Sequence, residues 1–175
     1  MVKSGVTDPA LTVLTKAESA ARPRVELCGT YRHAVDSKGR VAVPALLRRG
    51  LPEGSVVAPG PDHRLVVWPP DEWQKEQDRY RRTAESPSQQ RRFLRQLAGQ
   101  TFPFDVDTQG RLLLTAAQRS WAAIEDVAVF TGLGSGVEIV GEQLWNADQL
   151  VLDPDEFTQL HDLVHRSEPA PGVPQ

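Results

Sequence analysis

A single cysteine, Cys28, in 175 residues excludes an internal disulfide, so nothing staples the chain covalently, as fits a reducing compartment. Long apolar runs are missing as well. No stretch approaches the roughly 18–20 residues that a membrane-spanning helix needs, and Ala10–Leu14 is too short and too polar at its flanks for a secretory signal. The expected setting is cytoplasmic, with no membrane partner. Groupings that carry catalysis are also lacking. No Ser/His/Asp set can be assembled, so no enzyme, no catalytic or metal site and no cofactor are expected. His161 and His165 stand four apart, a metal-compatible spacing, but a third ligand is missing. Gly132-Leu133-Gly134-Ser135-Gly136 has the composition of a phosphate cradle, yet it joins two strand-like runs instead of opening a helix. It is expected to be a hairpin loop, and Cys28 a buried packing residue.

A positive excess is missing too. The net charge of −3 argues at first against a polyanionic partner, but the sum hides a segregation. Leu27–Trp145 holds 15 Lys/Arg against 14 Asp/Glu, while the residues after Trp145 hold Arg166 against six carboxylates. Within Thr30–Arg49, Arg32, Lys38, Arg40, Arg48 and Arg49 face Asp36 alone. A clustered basic segment matters more to a polyanion than the global sum.

What the chain does have is an internal repeat. Val35-Asp36-Ser37-Lys38-Gly39-Arg40 returns 71 residues later as Val106-Asp107-Thr108-Gln109-Gly110-Arg111, and Arg48 matches Arg119 at the same offset. Each copy predicts a strand (28–35, then 101–106), an Asp-x-x-Gly turn and a short apolar strand (40–43, then 111–114). In such a turn glycine supplies positive φ and aspartate bonds the backbone two residues on. A short helix follows, opened by Pro44 in one copy and N-capped by Thr115 in the other. Two further strands close each copy, 55–58 with 64–68 and 126–131 with 137–140. Two copies are too few for a solenoid, so a pair of half-folds completing one core is expected. Between them, 71–82 reads as helix, and Ser86-Pro87-Ser88-Gln89 starts another, with Phe93, Leu94 and Leu97 inward and Gly99 as its stop. Trp68, Trp73, Trp121 and Trp145 are expected in the core or at a subunit interface.

The segment Leu27–Pro44, with its Asp36-x-x-Gly39-Arg40 turn and the second such turn at Asp107–Arg111, resembles the opening of the MraZ family. These are bacterial regulators with two tandem SpoVT-AbrB-type units, each marked by Asp-x-x-x-Arg. The resemblance covers about 27–146. It implies an α+β, mainly β fold: two swapped-hairpin-like units forming a pseudo-two-fold β-barrel, with helices between and after them. The expected division is a flexible extension 1–26, a first repeat 27–74, a helical spacer 75–99, a second repeat 100–146, and an acidic helix with disordered tail 147–175. The extension is longer than the family pattern, which points to a valine-type translation start at Val25. The resemblance further implies a ring-shaped, octamer-like homo-oligomer, nucleoid association, and binding to direct repeats upstream of the division and cell-wall genes.

Double-stranded DNA is therefore the expected partner, with Arg40, Lys38, Arg32, Arg48 and Arg111 as contacts and Asp36, Gly39, Asp107 and Gly110 shaping the turns. Arg40 can fork onto guanine or a phosphate, Lys38 acts as a point charge, and Asp36 can hold the Arg40 rotamer. The second copy has Thr115 where the first has Pro44, and Asp105 and Asp107 offset Arg111 and Arg119, so the main contacts are expected on the first copy. Arg91, Arg92 and Arg95 read as a solvated helix face. The rival reading is an antitoxin-like module that grips a protein through its acidic C-terminal arm.

Overall fold

The computed structural model describes residues 27–82, 86–147 and 153–166; the expectations for 1–26 and for the last nine residues lie outside them. Alternating apolar residues and Gly/Pro-rich connections give the first copy β1 (Cys28–Ala34), β2 (Arg40–Ala42), helix α1 (Ala45–Arg49), β3 (Val56–Pro59) and β4 (Leu65–Trp68). Helices α2 (Pro70–Arg82) and α3 (Pro87–Gln100) follow. The second copy repeats the order as β5 (Phe102–Pro103), β6 (Arg111–Leu113), α4 (Ala116–Trp121), β7 (Val127–Leu133) and β8 (Val137–Gly141). Helix α5 (Glu142–Ala147) and the amphipathic α6 (Pro154–Arg166) complete the described chain.

Strand pairing interlocks the two copies. One antiparallel sheet has the order β1-β7-β8-β4-β3-β5, and β2 pairs with β6 as a separate two-stranded ribbon. Exchanging each strand for its counterpart reverses that order onto itself, so β1 rests on β7 as β5 rests on β3, and β4 meets its own equivalent, β8. Neither copy holds a complete sheet.

Side-chain alternation then divides the sheet into two faces. Tyr31, Phe130, Ile139, Leu65, Val57 and Val67 point to one side, where they share a core with Val41 and Leu112 of the ribbon. Leu47 of α1 and Leu114 before α4 join the same core. On the other side Val66, Val129 and Val140 are buried too. Helix α3 packs there against β3, and α5 against β7 and β8.

Several expectations need correction. The β-barrel does not close: β1 and β5 end the sheet, and β5 spans two residues where six were expected. Phe102 and Pro103 pair with Val57 and Val56, and Phe104 N–H donates to Ser55 O at 2.8 Å just beyond them. Cys28 is exposed instead of buried, because alternation along β1 turns it away from the core. Gly99 does not stop α3, which runs on to Gln100; Thr101 Oγ1 donates to the Leu97 carbonyl at 2.7 Å and finishes the helix. Leu97 is buried as expected, but Phe93 is 47% exposed, its ring edge-on to Tyr80 at 5.1 Å. The four tryptophans are half-buried. The glycine-rich segment is the β7–β8 hairpin loop, closed by Leu133 N–H donating to Gly136 O at 2.9 Å.

Candidate nucleic-acid interface

The two Asp-x-x-x-Arg turns fold identically because each aspartate has both oxygens committed. Asp36 Oδ1 accepts the backbone N–H groups of Lys38 (2.9 Å) and Arg40 (3.0 Å), and Oδ2 accepts Arg40 Nε (2.8 Å) and faces its Nη2 (2.8 Å). Asp107 takes Gln109 and Arg111 in the same way, at 2.9, 3.0, 2.8 and 2.8 Å. Gly39 (φ +81°) and Gly110 (φ +74°) occupy the left-handed positions that only glycine adopts without strain. These bonds favour the ionised carboxylates. The backbone and then the side-chain bonds from Arg40 hold Asp36 down at about 2, and those from Arg111 lower Asp107.

The aspartate therefore sets the arginine's direction. A guanidinium has five N–H donors; its Nε–Nη2 edge faces Asp36, which leaves the Nη1–Nη2 edge of Arg40 for a bidentate acceptor.

The ribbon brings the two turns together. In the β2–β6 register Arg40 lies opposite Leu113, Val41 opposite Leu112, and Ala42 opposite Arg111. Val41 and Leu112 are buried, so Arg40, Ala42, Arg111 and Leu113 all point outward from the same face. Arg40 and Arg111, 71 residues apart in sequence, are diagonal neighbours there, about 7–8 Å apart by strand geometry.

The helices cross over in the same reciprocal sense. Leu114 N–H donates to Gly39 O, and Val43 N–H to Gly110 O, both at 2.9 Å. A Cβ on Gly39 would lie 3.1 Å from Arg119 Nε, and one on Gly110 would overlap Arg48 Nη1. Each turn thus carries the other copy's helix arginine over its glycine. The Arg119 Nε is buried and has no hydrogen-bond partner among the described residues.

The basic segment seen in the sequence is accordingly split. Lys38 is exposed on the first turn beside Arg40, whereas Arg48 belongs to the second turn. Arg32 lies on the outer face of the large sheet, away from the ribbon, and pairs with Glu142 of α5 at 3.2 Å. Arg119 and Leu113 were not among the expected contacts. The 71-residue match of Arg48 to Arg119 was the signal for the first; nothing local marked the second. Around the two turns stand Lys38, Arg40, Arg48, Arg111 and Arg119, against Asp36 and Asp107. Among the described residues, no group of three or more His, Cys, Asp or Glu is placed to hold a metal, and no helix is long and apolar enough to cross a membrane.

Residues 27–96 match a family model described as "MraZ protein, putative antitoxin-like". Over 117 residues the chain is 38% identical to the transcriptional regulator MraZ of Desulfitobacterium hafniense, covering 67% of this chain and 82% of that protein. It is similar to proteins of the same name from Carboxydothermus hydrogenoformans (36% over 118 residues, 67% and 82% covered) and Herpetosiphon aurantiacus (36% over 125 residues, 71% and 85% covered).

Proposed function

This chain belongs to the MraZ family, and from that premise we propose that it is a sequence-specific DNA-binding transcriptional regulator and not an enzyme. One observation carries the reading: both Asp-locked arginines, Arg40 and Arg111, stand on one exposed face of a two-stranded ribbon. The major groove is about 12 Å wide and admits such a ribbon. Lys38 and Arg48, with Arg119, supply phosphate contacts that set affinity, while the forked arginines read base edges.

The reciprocal strand pairing supports two SpoVT-AbrB, swapped-hairpin-like units, in 27–74 and 100–146, joined by the spacer 75–99. A ring-shaped, octamer-like homo-oligomer repeats the ribbon at fixed spacing, so that direct repeats are engaged together through high effective concentration. Open sheet ends at β1 and β5 and the exposed Leu133 and Phe93 support such assembly. The place of action is the cytoplasm, on the nucleoid, and the targets are promoter repeats of the division and cell-wall genes, its own included.

The test is fluorescence anisotropy with the DNA upstream of its own coding sequence, across a salt series, for the parent and Arg40→Ala. Binding should exceed that to random duplex and fall with salt by a log–log slope of about −0.9 per phosphate neutralised. Arg40→Ala should abolish the preference. A parent that shows none overturns the reading. The antitoxin-like alternative draws on the exposed, acidic α6, with Phe157, Leu160 and Val164 along one stripe. It gains if a neighbouring toxin-like protein, and no DNA, binds.

A further inference from the structure

The ribbon face holds one residue that charge does not explain. Leu113 is 59% exposed, although Leu112 and Leu114 on either side of it are buried. It is directly opposite Arg40, and Arg111 precedes it by two on the same strand and the same face. In the first copy the equivalent position is Ala42, which lies opposite Arg111. The pseudo-symmetric face is therefore apolar and large at one end only.

We propose that Leu113 reads thymine, its side chain packing on the C5-methyl group of a thymine beside the base or phosphate gripped by Arg40. The inference rests on the DNA-binding reading above. One observation and two physical arguments lead to it. The flanking guanidiniums are fixed by Asp36 and Asp107, so a surface seated on Leu113 must also supply acceptors for Arg40 and Arg111. Sealing those two guanidiniums into a dry protein contact is costly, whereas a DNA groove supplies acceptors on both sides. The apolar feature that the major groove displays is the thymine methyl. Ala42 is too short to reach equivalently, so the contact distinguishes the two ends of the ribbon and gives the protein a direction on DNA.

The test replaces every thymine by uracil, which pairs identically and lacks only the methyl group. The duplex upstream of the protein's own coding sequence is amplified with either dTTP or dUTP, and binding of the full chain is followed by anisotropy. The parent should bind the uracil duplex about fourfold more weakly for each methyl contacted. Leu113→Ala should bind both duplexes equally, near the parent's affinity for the uracil form. An effect of uracil on DNA shape would persist in the variant, so equality there assigns the effect to the side chain.

A parent that binds both duplexes equally, while Arg40→Ala still weakens it, overturns this inference and leaves the DNA reading intact. A parent without preference over random duplex overturns the DNA reading itself. A Leu113→Ala variant that keeps the thymine preference but changes subunit count by light scattering assigns the side chain to a subunit contact, and the inference fails. Leu113→Thr, which introduces the β-branching that suits an exposed strand position, provides a second variant if the alanine form is poorly folded.

Discussion

Asp36 is the hinge of the first turn at the residue scale, and its ionisation is linked to folding. Its carboxyl is held at about 2 against an ordinary 3.8, mainly by the backbone and side-chain bonds from Arg40. A depressed carboxyl stabilises the fold fully above its unfolded value, and that contribution is lost as pH falls through the folded value. The parent should therefore lose stability between pH 4 and pH 2 more steeply than Asp36→Asn, the two curves converging at the acid end. Urea midpoints across that range measure it, and parallel curves would contradict the assigned bonds. Asp107 shifts in the same direction, so the Asp36→Asn/Asp107→Asn double variant should be flatter still.

Among the elements, glycines at different places respond oppositely to the same change. Gly39 has φ +81°, and a Cβ there meets the Leu114 carbonyl at 2.9 Å. Gly39→Ala should cost roughly 1–2 kcal/mol for the left-handed backbone, and more as Leu114 and Arg119 are displaced. Gly99 lies within α3 with nothing within 4 Å of a Cβ, so Gly99→Ala should stabilise by about 0.5–1 kcal/mol. Thermal or urea unfolding of the two variants decides both signs. Helix α4 depends on a complete capping box: Gln118 N–H donates to Thr115 Oγ1 at 3.2 Å, and Thr115 N–H to Gln118 Oε1 at 2.9 Å. Thr115→Ala should cost about 1 kcal/mol by the same measurement. This cap was legible from the sequence, because capping is a matter of four consecutive residues. The length of β5 was not, since its pairing depends on which strand Pro103 meets.

For the molecule as a whole, interlocking decides what can fold alone. A chain cut after Arg82 keeps β1, β3 and β4 but loses β7 between β1 and the rest, β8 beside β4, and Leu112 opposite Val41. It should be unfolded, or associate with another copy of itself, by far-UV circular dichroism and light scattering. Adding residues 83–175 should restore a complex that co-elutes and shows the parent's spectrum. A monomeric, cooperatively folding first half would contradict the reciprocal sheet. Two exposed apolar surfaces, around Phe93 and along α6, remain at this scale for partners to cover.

The repeat, the two Asp-x-x-Gly-Arg turns, the strand–helix order and the family were all present in the sequence, because each rests on residues within a few positions of one another or on a periodicity. Turn chemistry and capping are short-range, and a strand's alternation shows in its own residues. What reaches across the chain was decided by tertiary structure. Pairing β2 with β6 put Arg40 and Arg111 on one face, and crossing the helices set Arg119 over the first turn and Arg48 over the second. Alternation in β1 sent Arg32 to the far side against Glu142, and alternation in β6 left Leu113 in the open. Each of these outcomes depends on which distant strand supplies the partner, and a one-residue change of register would have reversed every one of those faces.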